Sequence, residues 1–333
     1  LERPTISVVS AAYREADGLP LFAEALVHEL GSLGLSWEVI IVDDGSPDDT
    51  WSVLEELSRR QPRIRGIRLV RNFGQQAALI AGMEAARGHC IVTMDCDLQH
   101  PPAVIKDLVA RWRSGALIVQ SVRQDDSTSV SWFKKATSRG FYRIFNKISG
   151  LPLSDGMADF RLIDRTMVAP FLAVARQTGF LRGTTAWLGT PSKLPDCKNI
   201  DTVLFAVAPR ARGTTKYSLR KMLRLCWSGL MGFSTVPFRA GFLASGLLAI
   251  LSLTSGASSA IWSDPIGKAT AIIVAAIFAV GALLALLVSM VGEFVVYQGQ
   301  SERQRPVYVI RESLGYDAGE DRARESSDLE RTG

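Results

Sequence analysis

The first half of the chain predicts an α/β domain built on a parallel sheet, and three observations carry that expectation. Short apolar, β-branched runs recur along it, amphipathic helical stretches separate them, and acidic residues stand where two of the apolar runs stop. Alternation of strand and helix is the pattern of a parallel sheet with right-handed crossovers. In an open sheet of this kind, ligands gather outside the carboxyl ends of the strands.

Each element has its own warrant. Thr5–Ala11 (TISVVSA) reads as a strand, with Tyr13 and Glu15 just past its end. Leu19–Leu33 is amphipathic and helical. Trp37–Val42 is a second buried strand, halted by Asp43-Asp44-Gly45-Ser46-Pro47, whose Gly, Ser and Pro signal a turn. Helix Thr50–Arg60, strand Ile64–Leu69 and helix Gly74–Ala86 follow, leading through Gly88 to CIVTMDCDLQHPP (Cys90–Pro102). Ile91, Val92 and Met94 there form a strand buried on both faces that ends at Asp95.

Side chains alternate along an extended segment, so Asp95 and Asp97 project to one side while Cys96 points away. Two carboxylates so placed suit Mg2+ or Mn2+, which takes few protein carboxylates and leaves other positions to water and a substrate diphosphate. An acidic turn with no metal is the plain alternative. A zinc site made from Cys96, His100 and the aspartates would need Cys96 to turn back against the alternation. Neither G-x-G-x-x-G nor G-x-x-x-x-G-K-[ST] occurs, so neither a dinucleotide fold nor a P-loop is supported.

Composition divides the chain. Of 333 residues 47% are hydrophobic, mean hydropathy is +0.14, and the apolar excess lies between Phe238 and Val296. Phe238–Trp262 and Ala269–Val291 each reach the ~20 residues that span a bilayer as a helix. Neither has a polar face, and Gly and Ser are frequent in them, as in packed membrane helices. The expected organisation is a catalytic domain at 1–217, an interfacial amphipathic helix at 218–236, two transmembrane helices within 237–297 and a tail at 298–333 with a disordered end. Basic residues flank the pair on both outer sides while the loop between offers only Lys268 beside Asp264. By the positive-inside rule the catalytic domain and both termini are cytoplasmic, in an integral protein of the plasma membrane.

The net charge of +5 then belongs to a basic collar facing the lipid bilayer and anionic substrates, not to a nucleic-acid surface. Four cysteines without a C-x-x-C pair fit a reducing compartment. The opening LERPTISVVS is a strand pattern, not a cleavable signal peptide. Gly-rich faces on the two apolar segments favour a homo-oligomer.

Six ordered blocks carry a resemblance: VDDGSPDDT (Val42–Thr50), RNFGQQAALIAGMEAARG (Arg71–Gly88), MDCDLQHPP (Met94–Pro102), ADFRLIDR (Ala158–Arg165), FLRGTTAWLG (Phe180–Gly189) and RARGTTKYSLRKM (Arg210–Met222). Together with the paired apolar segments they resemble the polyprenyl-phosphate glycosyltransferases of glycosyltransferase family 2, over nearly the whole chain. The resemblance implies a GT-A type, Rossmann-like α/β catalytic domain with a C-terminal pair of transmembrane helices. It implies that Ala11, Tyr13, Glu15, Val42 and Asp44 line the nucleoside pocket, with Met94, Asp95, Cys96 and Asp97 along the nucleotide sugar. Asp95, Asp97 and Gln99 would hold the metal, Arg123, Arg210 and Lys216 the phosphates, and Asp159 would be the catalytic aspartate. Pro and Asn of the usual first-strand motif are replaced by Ala11 and Arg14, and the loop after Arg123 lacks a second arginine common there.

The implied reaction is an inverting transfer of one sugar from a nucleotide sugar donor, UDP-glucose before GDP-mannose, to a polyprenyl phosphate acceptor. A phosphate monoester, with a second pKa of about 6, is largely dianionic at neutral pH and attacks without a strong base. Asp159 could orient the acceptor, support the developing positive charge or take a proton; alternatively it is a structural partner of Arg161 or Arg165. Two rivals are a processive polysaccharide synthase and a non-catalytic membrane scaffold. The first normally has Q-x-x-R-W, where this chain has Leu108 before Arg111-Trp112; the second has no need of carboxylates and cations around one crevice.

Overall fold

A computed structural model describes residues 3–124, 146, 156–189, 200–206 and 306–315, with scattered positions between 273 and 295. Strands β1 (Ile6–Ala12), β2 (Trp37–Asp43), β3 (Ile64–Leu69) and β4 (Cys90–Asp95) alternate with helices α1 (Leu19–Ser32), α2 (Thr50–Arg60) and α3 (Gln75–Ala85). These four strands are parallel, and their bounds fall within a residue of the sequence expectation. After α4 (Val104–Arg113) come β5 (Ile118–Gln124), β6 (Met157–Asp164), α5 (Arg165–Thr178), α6 (Leu181–Leu188), β7 (Ile200–Ala206) and β8 (Ile310–Leu314). All eight strands share one sheet, in the order β7-β5-β6-β4-β1-β2-β3-β8.

Strand alternation sorts the core into two layers. Val8, Val39, Ile41, Val92, Phe160 and Leu162 face one side, packed with residues of α1, α2 and α4. Val9, Ile40, Val42, Ile91 and Ile163 face the other, packed with α3, α5 and α6. Helix α3 is buried along most of its length, with alanine or glycine at 77, 78, 81, 82 and 85. A β-carbon on Gly82 would lie 2.3 Å from Val9 Cγ1, so only glycine allows α3 to lie this close to β1. Helix α5 is capped at its start by Asp164, which accepts from Thr166 N, and ends at Gly179 with φ 59°.

The parallel pattern stops at β4. Strand β6 runs antiparallel to both β4 and β5, pairing Thr93 with Arg161, while β7 is parallel to β5. An antiparallel neighbour brings the beginning of β6 to the place where β4 ends.

The expected tail contributes to the sheet. Strand β8 adds antiparallel to β3, and Val70 N donates to Val309 O at 3.0 Å. Arg68 pairs with Glu312 at 3.0 Å and Tyr308 donates its hydroxyl to Glu84 at 2.5 Å. Five residues with two charges give little strand signal, which is how edge strands often look.

By contacts the chain divides into two compact units, one holding the sheet together with 306–333, the other 148–150 and 230–305. Among the described residues no helix is long and apolar enough to cross a membrane. The expected span Phe238–Trp262, the interfacial helix at 218–236 and the tail beyond 315 lie outside the described residues. Ala269–Val291 is described only at scattered positions, which are helical.

At the end of the sheet away from the acidic turns, Glu38 is a buried hub. Its carboxylate accepts from Ser7 Oγ, Arg87 N and Arg65 NH1, each at 2.6 Å. Burial alone would raise the Glu38 carboxyl, but the Ser7 and Arg87 donors and the Arg65 guanidinium together hold it below its ordinary value. Replacing Glu38 by Ala strands Arg65, whose side chain is 2% exposed. The expected loss is about 3–5 kcal/mol, the range for breaking a buried pair from one side. Denaturant melts of the full chain measure it, and a loss below about 1 kcal/mol would mean that water reaches Arg65.

Candidate active site

The carboxyl ends of β1 and β2 are stitched together by their following loops. Asp44 N donates to Ala12 O, Arg14 N to Ser46 Oγ and Glu15 N to Thr50 Oγ1, all within 3.0 Å. The next loop joins them, because the Asp44 carboxylate accepts from Phe73 N at 2.7 Å and from Gly74 N at 2.9 Å. Gly45, at φ 64°, makes the approach possible: a β-carbon there would lie 2.4 Å from the carbonyl carbon of Arg71.

These contacts hold Glu15 and Asp44, with the neighbouring Ala11 and Tyr13, at the carboxyl ends of β1 and β2. Three other residues of the expected nucleotide set are buried. Val42 and Met94 are fully buried in the core, and Cys96 is 5% exposed with its thiol directed to Ala11 O at 3.2 Å. Each can meet a ligand only through its backbone. Burial pushes the Cys96 thiol well up from its ordinary pKa, and the inward thiol removes the zinc alternative.

Asp95 closes β4 and Gln75, first residue of α3, donates to its Oδ1 at 2.5 Å. The turn beyond is held by Leu98 at φ 61° and by Gln99 N donating to Asp97 Oδ1 at 3.1 Å. Asp95 N donates to His100 Nδ1 at 3.0 Å, which fixes the neutral ring with its proton on Nε2. The ring lies 3.6 Å from Asp95 Oδ2 but is uncharged, so this is no ion pair. Buried against Phe160 and Phe205, it has its pKa pushed down to about 3 by burial first and by Arg123 next.

Burial, then the negative charges of Asp159 and Asp97, push the Asp95 carboxyl up to about 7 against the opposing pull of Arg182 and Arg123. Asp95, a hard oxygen donor in a crowded acidic turn beside Asp97, suits a divalent cation. Among the described residues no group of three or more His, Cys, Asp and Glu gathers as a metal set.

Asp159 lies near the start of β6, and Thr93 Oγ1 donates to its carbonyl at 3.0 Å. Arg161 NH2 reaches Oδ1 at 2.6 Å; Arg182 reaches Oδ2 through NH2 at 3.0 Å and Oδ1 through Nε at 3.3 Å. Gln76 makes a longer contact to Oδ2 at 3.4 Å and accepts from Leu181 N at 3.0 Å. Burial would raise this carboxyl, but Arg182 and Arg161 outweigh it and hold it well below the usual range. Of the structural partners expected for Asp159, Arg161 is present and Arg165 is not: Arg165 donates to the carbonyls of Ala86 and Gly88.

Arg123 ends up beside this group. Its backbone N donates to Gly156 O at 2.9 Å, its Nε is buried without a partner among the described residues, and its charge acts on Asp95 and His100. Arg210 and Lys216 lie outside the described residues. Gln75, Gln76 and Arg182 were not singled out for the site from sequence alone, and His100 only as a member of the zinc alternative. All four sit in the matched blocks, but amides and a second arginine announce no chemistry until the fold sets them against Asp95 and Asp159.

Residues 7–170 match the sequence profile described as Glycosyl transferase family 2. The chain is 30% identical to an uncharacterized glycosyltransferase of Bacillus subtilis, covering 93% of this chain and 94% of that protein. It is 29% identical to an uncharacterized glycosyltransferase of Synechocystis, covering 93% and 96%, and 29% identical to the bactoprenol glucosyl transferase of Shigella phage SfII, covering 92% and 98%. Mannosyl-3-phosphoglycerate synthase from Rubrobacter xylanophilus superposes on 69% of the chain and 72% of its own, with a TM-score of 0.48 and 15% identity.

The buried ring predicts a pH dependence. An unfolded imidazole titrates at about 6.5, whereas His100 stays neutral in the fold down to about 3. Below its ordinary pKa the unfolded chain binds a proton that the folded chain refuses, so this stability is whole above about pH 6.5 and is lost as pH falls toward 3. Asp95 works in the opposite sense, gaining stability as pH falls through 7, so His100 is read from the difference between the parent and His100→Asn. The parent's advantage is expected to shrink by up to about 1.4 kcal/mol per pH unit below about pH 6. Denaturant melts across that range measure it, and a constant difference would show that the folded ring takes up a proton.

Proposed function

The chain belongs to glycosyltransferase family 2, a glycosyltransferase with a GT-A type α/β fold, and from that premise we propose that it moves one hexose from UDP-glucose to polyprenyl phosphate at a membrane surface. The observation that carries the proposal is the meeting of Asp95 with Asp159 at the end of β4, ringed by Arg123, Arg161 and Arg182. Carboxylates and guanidiniums around one crevice suit two anionic substrates that must be brought together. The relatives named bactoprenol glucosyl transferase support the lipid acceptor and the glucose.

Asp95 and Asp97 would hold Mg2+ or Mn2+, which when bound neutralises charge on the leaving diphosphate. The remaining work falls to the chain. Tyr13, Glu15 and the loop held by Asp44 bind the nucleoside. Arg123, with Arg210 and Lys216 from the segment that follows β7, offsets repulsion between the phosphates. A lipid phosphate is already largely dianionic at neutral pH, with a second pKa of about 6, so it needs no strong base. Asp159, held well below the usual carboxylate range, is a poor base, which favours a role in orienting its arginines and the acceptor. Direct displacement then inverts the anomeric centre.

Membrane attachment is part of the proposal. The helical positions described between 273 and 295 expose Ile273, Ile277, Leu284, Val288, Val291 and Val295, surface that a bilayer would cover. A cytoplasmic catalytic domain anchored by two such segments, in a homo-oligomer, would meet a lipid-borne phosphate at headgroup level.

The test incubates membranes containing the full chain with a panel of nucleotide sugars and polyprenyl phosphate and weighs the lipid product. UDP-glucose is expected to give a single-hexose lipid only when Mg2+ or Mn2+ is added, and Asp95→Ala to remove that turnover. Asp159→Asn should slow transfer by about 100-fold or more with UDP affinity within about twofold of the parent. A melting curve on each variant accompanies the assay, because losing the Asp159 charge also leaves Arg161 buried without its partner. A long polymer would favour the processive synthase, mannosyl-lipid from GDP-mannose would replace the donor, and parental turnover by Asp95→Ala would remove the assignment.

A further inference from the structure

Arg123, Arg210 and Lys216 are the cations expected to meet the phosphates. A fourth arginine occupies the same region under different constraints. Among the described residues, the Asp159 carboxylate is held by two guanidiniums. The two arginines are not equivalent. Arg161 is fully buried and tied down, with NH1 donating to Leu181 O and Thr185 Oγ1 at 2.8 Å each and NH2 held 2.6 Å from Asp159. Arg182, in the first turn of α6, keeps 30% of its side chain exposed and holds Asp159 by longer contacts of 3.0 and 3.3 Å.

Moving Arg182 therefore leaves Asp159 paired with Arg161, whereas moving Arg161 would empty a buried site. The positive charge of Arg182, like that of Arg161, is felt by the groups at the acidic end of β4. A forked guanidinium partly in water, whose carboxylate keeps a second cation, is the form of donor that can turn to grip a phosphate.

We propose that Arg182 is a substrate-phosphate-binding residue, held ready by Asp159 and turned toward the phosphate group of one substrate when that substrate enters; this rests on the glycosyl transfer reading above. The phosphate could belong to the lipid acceptor or to the donor diphosphate. Asp159 is then a positioning residue for Arg182.

The full chain in detergent, with Mg2+ present, is titrated calorimetrically with a short prenyl monophosphate and separately with UDP, for the parent, Arg182→Gln and Arg182→Lys. Arg182→Gln is expected to weaken one ligand by about tenfold or more and to leave the other within about twofold, with Arg182→Lys between variant and parent because it keeps the charge without the fork. Weakened prenyl monophosphate assigns Arg182 to the acceptor; weakened UDP assigns it to the donor. In turnover, KM for that substrate should rise while kcat changes little. Parental affinity for both ligands overturns the proposal, and so does an equal loss of both accompanied by a lowered melting temperature in both variants, the mark of a purely structural arginine. A parent that binds prenyl monophosphate but transfers no sugar overturns the reaction while leaving the Arg182 assignment to the titrations. A parent that binds UDP alone overturns the lipid acceptor, and the UDP titration then decides the role of Arg182.

Discussion

Acidic groups gathered at one edge of a sheet repel one another, and the entry into α3 is where this protein settles that repulsion. Four consecutive residues do it: Phe73 N and Gly74 N hold Asp44, Gln75 holds Asp95, and Gln76 reaches Asp159. Each contact supplies an N–H to a carboxylate oxygen without adding a formal charge. The arrangement depends on packing well away from the acids. Gly82 lets α3 sink against Val9, and a helix displaced outward by one side chain would carry both glutamines off their targets.

Two buried ion pairs show how different jobs are given to similar groups. Glu38 and Arg65 are closed off from water, and Glu38 collects further donors from Ser7 and Arg87 N until its oxygens are well satisfied. Asp159 is outnumbered by guanidiniums, and one of them reaches solvent. The first arrangement joins β1, β2, β3 and the start of β4 at the blind end of the sheet. The second leaves one guanidinium within reach of solvent beside the acidic end of β4.

Strand and helix bounds through Asp95 were legible because apolar runs, helical periodicity and turn residues all agree there. Asp97 lies past the last residue of β4, in the turn held by Leu98 at φ 61°, so strand alternation reaches Asp95 but does not fix the side of Asp97. Asp159 was placed only by resemblance, since nothing local says that β6 runs antiparallel to β4 and so delivers its opening residues to the end of that strand. Arg182 and the two glutamines were quoted within matched blocks but carried no role, because their meaning lies in contacts across 20 to 83 residues of sequence. The inward turn of Cys96 against the core agrees with alternation, yet the same burial withdraws it, with Val42 and Met94, from the nucleotide's reach except through backbone.

Strand β8 sets a timetable. Its partner β3 is complete early in the chain, but Arg68 and Glu312 are 244 residues apart, with the apolar segments between them. At a synthesis rate of about 5–20 residues per second, the outer edge of β3 waits roughly 10–50 s for its cover. During that interval the nascent domain presents an unpaired β-edge of the kind that recruits strands from other chains, guarded chiefly by the charge of Arg68. Synthesis of β8, and not of the rest of the sheet, closes that edge.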